Sequence, residues 1–320
     1  MQSILISLVG HQPLPSLLAV RHLKPDMVML LASKDHDSRK RYNNLLRILR
    51  NERKVDGSPL KLIDADIVDE WSMSDVIEKI ECALEDVDEI AEARIICDVT
   101  GGTKTMSIGL VHFAKRHQGD VVYIASDKLH TRMLQFDFDL DRVGIRAESE
   151  CPIARQIEII DLFKAYLGFE RLEKKSPRTN QNNPGPFFER DVGLGFAQFV
   201  DKQESSVLVV SSGHEEADWV LQKQNHFAIV ECKVNSDMIG GMRQLNNMAS
   251  ERYLGTYTAK ILAIKDIKAE QYNDYMALAD QHNIHVLHLP EWNGCEHTAH
   301  RWSDVEITKF EDVVRKAFHG

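Results

Sequence analysis

Acidic residues and a lysine are grouped in residues 218–234, which read DWVLQKQNHFAIVECKV. Side chains two apart on a strand lie on the same face, so Glu231 and Lys233 are expected to point the same way, with Cys232 pointing to the other side. A short polar turn precedes their strand and is expected to return Asp218, on the preceding strand, to a place beside them. The pattern therefore predicts two carboxylates and one ammonium group in a single small site.

Such a site has an evident chemistry, because two carboxylates a few ångströms apart repel each other unless a cation lies between them. Hard oxygen ligands suit Mg²⁺ or Mn²⁺, and either ion polarises a phosphate and lowers the pKa of a bound water. Lys233 is then expected to orient that water and to neutralise developing charge. We therefore predict metal-dependent phosphodiester hydrolysis, with Asp218 and Glu231 as metal ligands.

Two residues further away in the sequence are expected to complete this site. Gln244, on the next predicted helix, is expected to hold the water or the phosphate by neutral hydrogen bonds. Glu189, on the first predicted helix of the carboxyl-terminal half, is expected to be a third metal ligand or a proton acceptor.

A second group of residues that could bind a ligand lies in residues 98–107, which read DVTGGTKTMS. They follow an apolar run and begin a predicted helix, which is where open α/β sheets bind ligands through helix amides and exposed glycine backbone. The spacing is not that of a P-loop, since Gly101 and Gly102 precede Lys104 by only three and two residues. A tight strand-to-helix turn that needs glycine is an equally good explanation of this segment on its own.

Apolar runs that alternate with helical patterns are expected to position the second group. The runs at residues 4–9, 27–32, 94–99 and 120–125 are typical of strands buried on both faces, and helical spacing marks residues 38–51, 74–84, 105–116 and 153–167. Ser74 is the expected N-cap of one of these helices. The alternation predicts a parallel sheet with right-handed crossovers.

Residues 170–186 are polar and rich in Asn and Pro, as in a linker, and the pattern of predicted strands and helices changes after them. Strands are predicted at residues 207–211, 218–222, 227–230, 260–264 and 285–289, with helices at 187–199, 240–253 and 268–281. The predicted domains are therefore residues 1–145, a linker helix and loop at 146–183, and a mixed α/β domain at 184–320.

The composition narrows the function classes. Of the 320 residues, 43% are apolar and 28% charged, as in ordinary globular proteins. A net charge of −10 argues against a general electrostatic binder of nucleic acid, although it does not exclude a nuclease. We expect no signal peptide, because the first apolar run has no basic leader before it and no small-residue cleavage site after it. No apolar run is long enough to span a membrane, and the five cysteines form no C-x-x-C. We therefore expect a cytoplasmic protein with free thiols and no membrane partner.

One further group contains residue types that bind zinc. Cys295, His297 and His300 form the pattern C-x-H-x-x-H. A fourth ligand at a fitting spacing is not evident, and histidines on a surface loop are the more common explanation, which we favour.

The acidic group resembles a known superfamily. Glu189, then Asp218, then E-C-K at residues 231–233 and then Gln244 follow the order of the PD-(D/E)xK restriction-endonuclease-like superfamily. An isolated E-x-K is common on surface strands, whereas here it ends an apolar strand and has acidic partners upstream. The resemblance implies a nuclease domain in which these side chains are catalytic.

The glycine-containing segment resembles another family. The string T-G-G-T-K-x-M-S, together with L-V-G-H-Q-P-L-P after the first strand, closely resembles the CARF domains of type III CRISPR ancillary proteins. The resemblance implies a Rossmann-like domain that dimerises and binds a cyclic oligoadenylate across the twofold axis. The residues implied to contact the ring are Gly10, His11, Gln12, Thr100, Gly101, Gly102, Thr103 and Lys104.

The order of the two resemblances, which together cover nearly the whole chain, is similar to that in CRISPR-associated nucleases activated by cyclic tetra-adenylate. It implies a homodimeric, cyclic-oligoadenylate-activated nuclease that uses Mn²⁺ or Mg²⁺ to cut DNA and/or RNA in antiviral defence. One alternative is a CARF transcription regulator, which predicts a helix-turn-helix that we do not find in the sequence. The other is a ring nuclease that degrades the cyclic oligoadenylate in its own sensor domain.

Overall fold

The computed structural model describes residues 2–65, 67–85, 87, 92–126, 130–137, 146–172, 174, 183–209, 216–250, 253–255 and 258–319. The chain divides into two compact units: unit 1 comprises Met1–Ile157 with Lys164–Gly168, and unit 2 comprises Glu158–Phe163 with Phe169–Gly320. Residues 175–182 of the predicted linker lie outside the described residues. The domain boundaries predicted from the sequence stay predictions.

Unit 1 is built on a seven-stranded sheet. Its strands are β1 (Ser3–Val9), β2 (Met27–Ala32), β3 (Lys61–Ile63), β4 (Arg94–Asp98), β5 (Asp120–Ser126), β6 (Thr131–Asp137) and β7 (Arg146–Pro152). They lie in the order β3-β2-β1-β4-β5-β6-β7, with parallel pairing from β3 to β5 and antiparallel pairing of β5 with β6 and of β6 with β7. The predicted parallel sheet is therefore correct for β1, β2, β4 and β5, and it lacks β3 and the antiparallel strands β6 and β7.

The helices that follow these strands are α1 (Leu14–Leu23), α2 (His36–Leu49), α3 (Met73–Glu85), α4 (Lys104–Arg116) and α5 (Ile159–Leu167). Two predicted helix starts are wrong. Ser74 lies inside α3, and it is the Ser72 hydroxyl that accepts a hydrogen bond from the Asp75 N–H at 3.1 Å. The helix predicted from residue 153 begins later, because the Ile153 N–H donates to the Thr131 carbonyl at 2.7 Å and so continues the pairing of β6 with the chain after β7.

Unit 2 is built on a five-stranded mixed sheet. Its elements are α6 (Gly185–Phe196), β8 (Lys202–Leu208), β9 (Glu216–Lys223), β10 (His226–Lys233), α7 (Met238–Met248), β11 (Ala259–Ile264), α8 (Tyr272–Gln281), β12 (Ile284–His288) and α9 (Asp304–His319). The order is β12-β11-β10-β9-β8, with parallel pairing among β10, β11 and β12 and antiparallel pairing among β8, β9 and β10. The predicted α/β class, with a largely parallel first sheet and a mixed second sheet, is confirmed.

Strand β10 shows how the two faces of the second sheet differ. Val230 and Cys232 belong to the apolar core that α6 and α9 cover. Glu231 and Lys233 alternate with them and lie on the other face, where Gly241 of α7 lies close to the Lys233 side chain. The core of unit 2 therefore fixes the strand from one side while the other side carries the polar residues.

No helix among the described residues is long and apolar enough to cross a membrane.

Candidate functional site

Strands β9 and β10 part at Asp218, and this position is called the fork below. The antiparallel ladder ends at the pair Val230 and Trp219. Beyond that pair, Oδ2 of Asp218 accepts a hydrogen bond from the Cys232 backbone N–H at 2.6 Å, so a carboxylate replaces the usual ladder partner. Trp219 packs on the core side with Val230, and alternation therefore puts Asp218 on the same face as Glu231.

Glu231, Lys233 and Gln244 form one hydrogen-bonded group beside the fork. The Lys233 ammonium donates to Glu231 Oε1 at 2.6 Å and to Gln244 Oε1 at 2.7 Å. The Glu231 side chain is 4% exposed and the Lys233 side chain 20%. The second oxygen of Glu231, Oε2, is buried and makes no hydrogen bond within the described part of the chain.

The electrostatics of the fork favour a positive charge. Burial raises the pKa of Asp218 well above its ordinary value, and the carboxylates of Glu231 and Glu189 raise it further. Burial also raises the pKa of Glu231 to about 7, although Lys233 lowers it. Burial lowers the pKa of the Lys233 ammonium, but the carboxylates of Glu231, Asp218 and Asp237 together outweigh that effect and the net pKa is raised. A bound cation would stabilise the ionised form of both carboxylates.

Two further carboxylates lie near the fork. Glu189 is on α6, where its backbone carbonyl accepts a hydrogen bond from Trp219 Nε1 at 2.8 Å, and its carboxylate raises the pKa of Glu231. Glu216, at the start of β9, raises the pKa of Glu231 as well. Sequence reasoning missed Glu216 because the predicted strand begins two residues later, although the alternation E-A-D gives the signal.

The donor set at the fork fits a hard divalent cation. Asp218 and Glu231 present carboxylate oxygens, and Mg²⁺ commonly takes one or two carboxylates and fills its other positions with water and phosphate oxygens. Among the described residues, no group of three or more His, Cys, Asp or Glu side chains is arranged to hold a metal ion. Glu189 as a third ligand therefore stays a prediction.

Replacing Glu231 by glutamine is expected to stabilise the protein when no divalent cation is present. The folded-state pKa of about 7 lies above the ordinary value of 4.5, so the stability that Glu231 contributes is complete below about pH 4.5 and is lost as the pH rises through 7. Glutamine removes this loss, which is at most about 3 kcal/mol. The measurement is the melting temperature of both proteins in chelator between about pH 5 and pH 8.

The variant should melt higher than the wild type at the alkaline end, and the difference should shrink as the pH falls. Saturating Mn²⁺ should raise the melting temperature of the wild type and not that of the variant. Glu204→Gln, on β8, is the matched control, since the half-buried Glu204 carboxylate pairs with Lys174 at 2.6 Å and lies outside the group at the fork. A difference between wild type and Glu231→Gln that does not change with pH would contradict the prediction.

Helix α6, which carries Glu189, is held by the buried carboxylate of Asp191. Its Oδ2 accepts hydrogen bonds from Trp292 Nε1 and from the His300 N–H, each at 2.9 Å. Its Oδ1 lies 2.8 Å from Arg190 Nε. Sequence reasoning missed Asp191, since its partners come from a segment more than a hundred residues later in the chain.

The C-x-H-x-x-H residues have different surroundings from one another. The His300 ring is buried, with Nδ1 2.8 Å from Asn293 Oδ1 and Nε2 3.2 Å from Glu306 Oε1. Cys295 and His297 are exposed. The His300 ring thus stabilises the loop before α9.

In unit 1 the loops after β1 and β4 meet at the carboxyl ends of the parallel strands, a side of the sheet that is called the carboxyl edge below. A Cβ atom at Gly101 would lie 1.9 Å from the Leu8 carbonyl oxygen, and one at Gly10 would lie 3.0 Å from the Gly102 nitrogen. Glycine is needed at Gly101 because of this close approach and at Gly102 because of its φ of +70°. The structure therefore brings Gly10 together with the T-G-G-T string at the amino terminus of α4, where anions are favoured.

The two other predicted ring contacts of the first loop have partners in unit 1. His11 Nε2 lies 2.9 Å from Asp35 Oδ2, in the loop after β2. Gln12 accepts a hydrogen bond from the Tyr166 hydroxyl. Both side chains therefore lie at the carboxyl edge with a fixed neighbour.

Thr100, one of the predicted contacts of the second loop, is held by Asp98, whose role sequence reasoning did not identify. Its carboxylate is buried and accepts hydrogen bonds from the Ser7 hydroxyl at 2.6 Å and from the Thr100 hydroxyl at 2.5 Å. Burial raises the pKa of Asp98. Thr103 caps α4 by accepting from the N–H three residues on at 3.2 Å, and Lys104 is the exposed first residue of that helix. The threonine hydroxyls thus shape the loop.

Comparison with protein families then decides what the amino-terminal unit is. Residues 4–138 match the family model of the Card1 CARF domain. Residues 4–138 are a CARF domain. The prediction made from the T-G-G-T-K string is confirmed, and the CARF domain contains both glycine loops.

Solved structures extend the likeness through both units. Can2 from Sulfobacillus thermosulfidooxidans, solved in complex with cyclic tetra-adenylate, is 14% identical with a TM-score of 0.70, over 100% of each chain. Protein VC1899 from Vibrio cholerae is 10% identical with a TM-score of 0.57, over 98% of this chain and 96% of its own. A type III CRISPR defence DNA nuclease activated by cyclic oligoadenylate is 16% identical with a TM-score of 0.56, over 98% of this chain and 52% of its own.

At these identities the likeness shows the fold. The CARF-domain protein therefore shares its two-unit α/β architecture with Can2. A sequence comparison with curated proteins gives no match.

Proposed function

We propose that this CARF-domain protein is a nuclease that a cyclic oligoadenylate activates and that needs a divalent cation. The observation that carries the proposal is the convergence of Asp218, Glu231 and Lys233 at the fork of unit 2. The fold supports it, since Can2 was solved with cyclic tetra-adenylate and another structure of this fold is a type III CRISPR DNA nuclease. We therefore propose cyclic tetra-adenylate as the activator and type III CRISPR antiviral defence as the setting.

In this proposal Asp218 and Glu231 hold Mg²⁺ or Mn²⁺, with Glu189 as a further ligand. When bound, the ion supplies the positive charge that polarises a phosphodiester and acidifies water. Lys233, which Glu231 and Gln244 hold in position, orients the attacking water and offsets charge on the phosphate. Gln244 contributes a neutral hydrogen-bonding group that leaves the charge of the site unchanged.

The proposed activator binds at the carboxyl edge of the CARF sheet, between two copies of the chain. Its phosphates contact the glycine backbone at Gly101 and Gly102 and the amino terminus of α4. The remaining proposed contacts are Gly10, His11, Gln12, Thr100, Thr103 and Lys104. The ring activates the enzyme by binding the competent arrangement of the dimer more tightly than the idle one.

The mixed sheet of unit 2, with its acid and amine group, favours a nuclease over a transcription regulator. DNA and RNA remain equal candidates for the substrate. Destruction of the ring by the CARF domain itself is a separate activity, which analysis of the cyclic nucleotide after incubation would detect.

Cleavage of nucleic acid by the wild-type protein is expected only when cyclic tetra-adenylate and Mn²⁺ or Mg²⁺ are both present. Labelled single-stranded and duplex DNA and RNA are incubated with the full chain, with the metal and the ring omitted in turn and with cyclic hexa-adenylate as the matched control ring. Chelator should lower the cleavage rate by more than about 100-fold, because it removes the cation that the two carboxylates of the fork are proposed to hold. Cleavage that depends on neither the ring nor the metal would contradict the proposal.

A further inference from the structure

Trp71 is the single tryptophan of unit 1, and it is 78% exposed. Its backbone is nevertheless well fixed. The Trp71 N–H donates to Asp69 Oδ1 at 3.0 Å, and the Asp69 N–H donates to Asp75 Oδ2 at 2.7 Å. Tryptophan is usually largely buried, so a fixed loop that presents an indole to solvent needs an explanation.

The loop at residues 69–72 lies at the carboxyl edge of the CARF sheet. Val68, just before it, forms a parallel bridge with Ser33, which follows the carboxyl end of β2. The Glu70 carbonyl accepts a hydrogen bond from the Thr103 hydroxyl at 2.8 Å. Since Thr103 is also the N-cap of α4, a single side chain ties the loop that carries Trp71 to the T-G-G-T string.

The chemistry of this loop suits a nucleobase better than a phosphate. An indole face stacks on any base, and such platforms bind single-stranded nucleotides. Asp69 and Glu70 directly precede Trp71 in the chain and carry negative charge, which disfavours a phosphate beside this loop. The amino group of adenine is a hydrogen-bond donor and is compatible with these carboxylates.

We propose that Trp71 is a stacking platform for an adenine base of the cyclic oligoadenylate that binds at this edge. The inference rests on the proposed function, and it adds a residue that determines affinity and base specificity. The phosphates of the ring lie against the T-G-G-T backbone, and a base extends outward onto the indole.

Trp71→Ala is expected to weaken binding of cyclic tetra-adenylate to the full chain by about 5- to 150-fold, as loss of one stacked base does. Trp71→Phe should keep most of the affinity, because the phenyl ring also stacks. Isothermal titration gives the affinities, and tryptophan fluorescence gives an independent signal. Ring binding should change the fluorescence of the wild type, and Trp71→Phe should lose that change while it still binds.

Val55→Ala is the matched control. Val55 is 82% exposed in the turn before the amino end of β3, whereas the ring is proposed to bind at the carboxyl ends of the strands. Its replacement should leave the affinity unchanged. Melting temperatures and sedimentation are measured on the same samples. Equal affinity of Trp71→Ala and wild type overturns the inference, as does a loss of affinity that accompanies dissociation of a dimer. Failure of the wild type to bind the ring would instead remove the proposed function.

Discussion

Nucleic-acid cleavage by Lys233→Met is expected to be about 100- to 1000-fold slower than by the wild type, at saturating metal and ring. Methionine keeps an unbranched stem that can pack against α7, but it removes the ammonium group that bonds Glu231 at 2.6 Å and Gln244 at 2.7 Å. The attacking water then lacks its positive neighbour in the transition state. Single-turnover rates with labelled substrate measure the effect.

Lys260→Met is the matched control for this variant. Lys260 lies on the adjacent strand β11, where it bonds Asn246 at 2.9 Å, away from the fork. Its replacement should change the rate by less than about threefold, as is usual for residues outside a site. Both variants are checked by melting temperature and by ring affinity. A Lys233→Met protein that folds, binds the ring and still cuts at the wild-type rate would remove the catalytic role of the fork.

Gly101→Ala is expected to weaken activation by the ring strongly while leaving unit 2 folded. The new methyl group would lie 1.9 Å from the Leu8 carbonyl oxygen, which is part of β1 and cannot move without disturbing the central strand. The loop must shift instead, and each lost amide bond to a phosphate removes about 1.5–3 kcal/mol. Two such losses raise the ring concentration for half-maximal cleavage by about 100-fold or more.

Gly57→Ala separates this clash from the general cost of replacing a glycine. Gly57 has a φ of +82°, and a Cβ atom there would meet nothing within 4 Å. Its replacement should lower the melting temperature slightly and leave activation unchanged. Activation of Gly101→Ala at the wild-type ring concentration would show that the close approach of the two loops has no part in sensing.

The central strands were predictable because their burial on both faces of the sheet requires a recognisable pattern in the sequence. β1 and β2 are almost wholly buried, and burial on both faces requires continuous apolar runs. The three-residue β3 leaves too short a trace to be recognised. The antiparallel edge strands β6 and β7 were missed because their pairing depends on partners and not on an apolar run.

The convergence at the fork was predictable for a similar reason. Alternation along β10 fixes the faces of Glu231 and Lys233, and the hairpin returns β9 beside them. Asp98 and Asp191 could not be identified in this way, because their roles come from burial and from bonds to residues far along the chain. A carboxylate in a sequence gives no sign of whether it will be buried.

The Asp218 bond to the Cys232 N–H makes this acid part of the main-chain scaffold as well as of the proposed reaction centre. An alanine at this position would delete a charge and also free a strand end that the carboxylate now fastens. Loss of activity in Asp218→Ala would therefore not distinguish a catalytic role from a structural one. Asp218→Asn keeps an oxygen that can accept the hydrogen bond from the Cys232 N–H. Alanine substitution, the usual test of a side chain, would therefore mix a structural effect with a catalytic one at Asp218.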